Sequence, residues 1–208
     1  MMSPKSVVAA LFLSACIMIP SFAYADSSTD FSNSGGTLSG TNAGLSLTGS
    51  ILISVTGYPV VGSATGDLGS VSFTSGALSS GTLQMGGTFA AGGTFSIDGN
   101  GTAGLANGVL FSGTFSGPVT WTLTTLANGT HNYTLTGVVT GMMGGLSVNG
   151  VTVQLTINTG KGFFNGTTTI SGGDTEVVSS VPEPSTLALF GAGTATLAGM
   201  LRRKALAR

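Results

Sequence analysis

Residues 120–139 read TWTLTTLANGTHNYTLTGVV. Trp121 and Leu123 alternate with Thr120, Thr122 and Thr124, and past the turn Tyr133 and Leu135 alternate with Thr134 and Thr136. A period of two in β-branched and aromatic residues marks a strand with one face buried and the other solvated. Asn128-Gly129 lies between the two runs. That dipeptide favours the type I′ turn, whose twist matches antiparallel strands. The stretch therefore predicts a hairpin that pairs residues 120–126 with 130–139.

The same signals recur outward in both directions. Leu45, Leu47, Ile51, Ile53 and Val55 fall on alternate positions, and Val151, Val153, Leu155 and Ile157 alternate with Thr152, Gln154, Thr156 and Asn158. Asn-Gly returns at Asn100, Asn107, Asn149 and Asn165, and Asp98-Gly99 adds a related pair. The dipeptide at Asn149 predicts a second hairpin, residues 146–148 against 151–157. No stretch between the two ends of the chain sustains a helical period. The turns at Asn107, Asn128 and Asn149 are 21 residues apart, as a solenoid coil would require, but the spacing fails on either side. The expected fold is all-β, an antiparallel meander or sandwich-like domain with sheets packed face to face. A membrane barrel would want aromatic girdles at two interfaces, and the aromatics here are scattered.

Composition sets further bounds. Of the 155 residues from 26 to 180, Gly, Ser and Thr supply 80. Seven are charged: Asp26, Asp30, Asp67, Asp98, Asp174, Glu176 and a single base, Lys161, for a formal −5. Nucleic-acid binding is excluded as a function class, because neutralising phosphates takes clustered Lys and Arg. Charge-driven disorder is excluded too, because the polarity comes from hydroxyls and backbone. Residues 26–44 are rich in Ser, Asn and Gly and are expected to be loosely ordered, and residues 174–184 read as a linker.

Few residues carry chemistry. His131 is the only histidine. It follows an Asn-Gly turn, reads as lying on the threonine-bearing side of its strand, and has no nucleophile and acid placed around it by sequence. The run from Asp98 starts like a calcium loop, but Ala103 stands where such a loop needs Gly and Val109 where it needs a bidentate Glu. Asp67 and Asp98 would make a glycosidase pair only if the fold brought them together. Trp121 and Tyr133 lie on paired strands and, if exposed, would offer a platform for a sugar ring; their register with leucines favours core packing. The Thr-x-Thr runs at 120/122/124, 134/136 and 167/169 lack the strict repeat of an ice-binding face and read as the solvated side of a sheet. No cofactor or metal is called for, and an enzyme is not expected. Sequons at Asn100, Asn128, Asn132 and Asn165 follow from the Asn-Gly-Thr-rich composition.

The two ends are addressed differently. Lys5, an apolar core over residues 7–19 and the small-x-small site Ala23-Tyr24-Ala25 form a signal peptide, with Asp26 expected as the first mature residue. Leu13-Ser14-Ala15-Cys16 is a competing lipobox, in which Cys16 would be lipidated. Cleavage after Ala25 would leave the mature chain without cysteine, hence without disulfides. At the other end, Pro182-Glu183-Pro184 precedes an uncharged segment, residues 185–201, and then Arg202, Arg203 and Lys204. The prolines keep their neighbours extended and out of a helix. Seventeen helical residues span roughly 25 Å, enough for a short membrane crossing, with the basic cluster on the cytoplasmic side.

In its order of Pro-Glu-Pro, apolar segment and basic end, the tail resembles a PEP-CTERM sorting signal of Gram-negative bacteria that make exopolysaccharide. The resemblance covers about residues 181–208 and does not extend to the body. It implies recognition by an exosortase, a membrane enzyme that supplies its own catalytic residues, with exopolysaccharide as a neighbour. The organisation expected is thus a signal peptide (1–25), a β domain (26–180) and a sorting segment (181–208) with a transmembrane helix. The protein would be anchored transiently in the inner membrane with its body in the periplasm, then reach the surface or the matrix as a structural component. A carbohydrate-binding or adhesion module using exposed aromatics is the alternative, and a hydrolase with converging acids the remaining one.

Overall fold

The structure is a computed structural model that describes residues 27–59 and 61–179. The signal-peptide site at Ala23 and Ala25, Cys16, the sorting motif, the apolar segment and the basic cluster lie outside the described residues. Residues Ser27–Ser179 form one compact unit. Its strands are β1 (Ser27–Ser34), β2 (Thr37–Thr41), β3 (Gly44–Tyr58), β4 (Gly62–Thr74), β5 (Leu78–Thr82), β6 (Gly86–Phe89) and β7 (Gly92–Asn100), followed by β8 (Asn107–Phe115), β9 (Val119–Thr125), β10 (His131–Met143), β11 (Leu146–Asn158), β12 (Thr167–Thr169) and β13 (Gly172–Ser179). Among the described residues there is no helix, hence none long and apolar enough to cross a membrane.

Eight strands close on themselves. Their order is β1-β3-β4-β7-β8-β10-β11-β13, every neighbouring pair is antiparallel, and β13 returns to β1. The expected all-β antiparallel fold is present, but its sheets are not two layers face to face; they form a barrel. Closure satisfies the edges that a sandwich leaves open. Two strands are long enough to serve the ring and an extension together. The first part of β10 pairs with β9, which continues to β6 and β5, and the start of β3 pairs with β2, which continues to β12.

The apolar face of each strand points inward. Phe31, Leu52, Val71, Phe95, Ile97, Phe111, Val153, Leu155 and Val177 are all buried. Phe73, Phe95, Phe111 and Phe115 pack with ring centroids 5.8–6.2 Å apart. Rings of this size need gaps opposite them, and glycine supplies the gaps. A Cβ on Gly137 would sit 2.7 Å from Phe115 Cε1, and one on Gly40 would sit 2.9 Å from Phe164 Cε1. The exterior carries rows of hydroxyl and amide side chains together with exposed Ile51, Ile53, Val109, Val138, Met142 and Val178. One outward row crosses eight strands as Thr88, Thr120, Thr136, Gln154, Asp174, Ser32, Ser54 and Thr65, each directly opposite the next.

Several local expectations change. The hairpin around Asn128-Gly129 is present, with His131 opposite Thr125. Its turn is not type I′, because that form needs positive φ at both central residues. The only described non-glycine with positive φ is Ala103, at 51°. In all five Asn-Gly pairs it is the glycine alone that adopts positive φ. The second expected hairpin is absent. Asn149-Gly150 is a bulge inside the continuous β11, where both residues face the single Thr140 between the pairs Val139–Val151 and Gly141–Val148. The true turn is Gly144-Gly145, closed by Met143 opposite Leu146, with φ of 57° and 83°.

Phase also changes within β3. Register shifts between Leu47 and Ser50 and between Leu52 and Ser54 turn Leu52 inward and leave Ile51 and Ile53 outside, 44% and 40% exposed. Residues 26–44, expected to be loose, contain β1 and β2, anchored by buried Phe31, Asn33 and Leu38. The part of the expected linker 174–184 that falls in the described region, residues 174–179, belongs wholly to β13, which is paired on both sides.

Candidate functional site

Trp121 and Tyr133 are core residues. They are 1% and 0% exposed, and their rings stack at 4.8 Å and 15°. Both polar tips are used inside. Trp121 Nε1 donates to the Leu83 carbonyl at 2.8 Å, and Tyr133 Oη donates to the Gln84 carbonyl at 2.6 Å while accepting from the Phe164 amide at 3.1 Å. Buried Trp and Tyr settle where such partners exist. The pair therefore pins the turn before β6 and the loop after β11 to one core, and it presents no ring face to a sugar. The alternation that suggested a platform is the alternation of a buried face.

His131 is on that same inward side, not with the threonines. It is 8% exposed, its Nδ1 lies 3.1 Å from Thr125 Oγ1, and its ring stacks on Phe163 at 4.3 Å and 17°. Asp67 and Asp98 have separate hydrogen-bond partners. Asn100 Nδ2 donates to Asp67 Oδ1 at 3.3 Å, and Ser96 Oγ donates to Asp98 Oδ2 at 2.8 Å. In the calcium-like run, Asn100 Oδ1 accepts from the Thr102 amide at 3.1 Å and Thr102 Oγ1 at 2.6 Å. That geometry is an Asx turn. No group of three or more His, Cys, Asp or Glu residues placed to hold a metal occurs among the described residues.

Two features were not legible in sequence. The first is acidic. Asp30 on β1 lies opposite Glu176 on β13, and Asp174 lies opposite Ser32 in the next outward row. Burial raises the Asp30 carboxyl from 3.8 to about 6, and the adjacent Asp174 and Glu176 carboxylates add to the shift. Asp30 Oδ1 is buried without a hydrogen-bond partner. Beside this cluster, Gln154, Thr156 and Asp174 line a depression of about 220 Å³. Asp30 is distant in sequence from Asp174 and Glu176, and only barrel closure joins it to them.

The second feature is the loop after β11. Its pocket, of about 310 Å³, is lined by Asn158, Thr159, Phe163, Asn165 and Thr168 among others. Phe163 is 48% exposed and Phe164 is 1% exposed. The Phe163-Phe164 doublet thus sends one ring into the Trp121–Tyr133 core and the other to the surface.

The body is a closed β-barrel with rows of hydroxyl side chains on its exterior, and its last strand ends shortly before a Pro-Glu-Pro, apolar and basic sequence. Residues 180–204 match the PEP-CTERM protein-sorting motif. The chain therefore carries an exosortase-type sorting signal, which marks it for export, membrane-associated processing and delivery to the cell surface. Among curated proteins none matches the chain. Among solved structures none matches it either.

Proposed function

We propose that this protein is a non-enzymatic structural component of the cell surface or extracellular matrix, anchored transiently in the inner membrane and then placed among exopolysaccharide. The observation that carries the reading is the sorting motif at residues 180–204, which directly follows a barrel strand. The body supports it. Its large aromatics fill the core, with the Trp121 and Tyr133 tips engaged internally. Its exterior includes rows of Ser, Thr and amide groups that can exchange hydrogen bonds with a hydrated polymer as readily as with water. In an exosortase-bearing host, a tagged chain is expected to fractionate with cell-surface polysaccharide and to be released when that polymer is digested. A tagged chain that stays in the inner membrane, or leaves for the medium free of polymer, would contradict the proposal.

A further inference from the structure

We propose that the pocket in the loop after β11 is a saccharide-binding site, with Phe163 as its stacking platform. The inference rests on the reading that the protein sits among extracellular polysaccharide, and it names where contact is made.

Phe163 stands out from its surroundings. Its ring is 48% exposed on a barrel that buries Trp121, Tyr133 and Phe164. It is also held in place. One face lies on His131 at 4.3 Å, and the next residue, Phe164, is anchored by its amide to Tyr133 Oη. The backbone around it is tied down as well. The His131 amide donates to the Gly160 carbonyl at 2.7 Å, the Thr159 amide donates to the His131 carbonyl at 3.0 Å, and the Gly40 amide donates to the Gly166 carbonyl at 2.8 Å. Thr159 Oγ1 spans the loop to the Gly162 carbonyl at 2.6 Å. A ring displayed on a pinned loop loses little freedom when it binds, and such preorganisation favours affinity.

The remaining lining suits a sugar. Asn165 and Thr168 bring an amide and a hydroxyl to the pocket, and Asn158, held by Asn132 at 2.6 Å, fixes its edge. One apolar ring with a few convergent polar groups is the usual composition of a small-ligand site, and the volume of about 310 Å³ reaches the lower bound of such sites, about 300 Å³. A pyranose matches it. Its axial C–H face stacks on an aromatic ring while its equatorial hydroxyls reach amide and hydroxyl groups at the rim.

The test uses the full chain and oligosaccharides of four to eight units prepared from the producing strain's exopolysaccharide, with binding followed by calorimetry. Wild type is expected to bind. Phe163→Ala is expected to weaken binding about two- to tenfold, since an aromatic contact is worth about 0.5–1.5 kcal/mol and 1.4 kcal/mol is tenfold. Phe163→Trp is expected to retain binding, and a thermal melt like that of wild type would show that Phe163→Ala still folds. Equal binding by wild type and Phe163→Ala, or no binding by wild type, overturns the site. Surface delivery of wild type, measured in the same host, separates the two claims. Wild type that reaches the surface polymer but binds no oligosaccharide, or binds it no better than Phe163→Ala, means that the site is wrong and the structural reading stands, whereas failure of wild type to reach the surface polymer removes the reading itself.

Discussion

Gly137 lacks a side chain because the Phe115 ring occupies the space its Cβ would need, 2.7 Å away. The φ of Gly137 is not in the left-handed region, so packing alone holds the position as glycine. Gly137→Val is expected to destabilise the barrel by about 1–3 kcal/mol, the usual range for overpacking, measured by urea unfolding. Asp30 gives a second residue-scale expectation. In the folded chain its carboxyl keeps a proton up to about pH 6, and in the unfolded chain only to about 3.8. Between those values the folded state binds more protons, so stability should fall as pH rises. The contribution is complete below about 3.8 and gone above about 6. Denaturation midpoints across pH 3.5–7 should show this decline in wild type and lose it in Asp30→Asn. A midpoint rising over that window would contradict the assignment. Neither feature was readable in advance, because Phe115 and Gly137, or Asp30 and Glu176, meet only through strand pairing.

At the level of elements, alternation and turn chemistry were legible to different degrees. The inward sides of β9, β10 and β11 follow directly from Trp121, Tyr133, Leu135 and the valines of β11. Bulges limited the rest. A single extra residue reverses the phase of every side chain after it, which is why Ile51 and Ile53 read as core and Leu52 did not. Asn149-Gly150 looked like a turn because a glycine with positive φ, here 74°, serves a bulge as well as a hairpin turn. The real turn, Gly144-Gly145, makes a specific prediction. Gly145→Val places a β-branched residue at φ 83° and is expected to destabilise by about 1–3 kcal/mol, whereas Gly144→Asn should be tolerated. Unfolding of the two variants side by side would check it. The Phe163 platform left one trace in sequence, two adjacent phenylalanines in a Gly-rich loop, where alternation allows only one to be buried.

For the whole molecule, the closed barrel explains how an exported body can hold together without a described disulfide. Every strand of the ring has two partners, and β13, between β1 and β11, completes it. Closure was not legible because no local signal distinguishes strands that return to the first from strands that stack in two layers. The sorting motif at residues 180–204 was legible, because its recognition depends on residue order and not on the fold. The central claim is that this barrel is cargo addressed by its tail. The most direct measurement is the apparent mass and membrane fractionation of a tagged chain in hosts with and without an exosortase. Wild type should be processed and leave the inner membrane only where the exosortase is present, and a variant with Pro182, Glu183 and Pro184 all changed to Ala should remain there as precursor. Processing and release of that variant like the wild type would contradict the account.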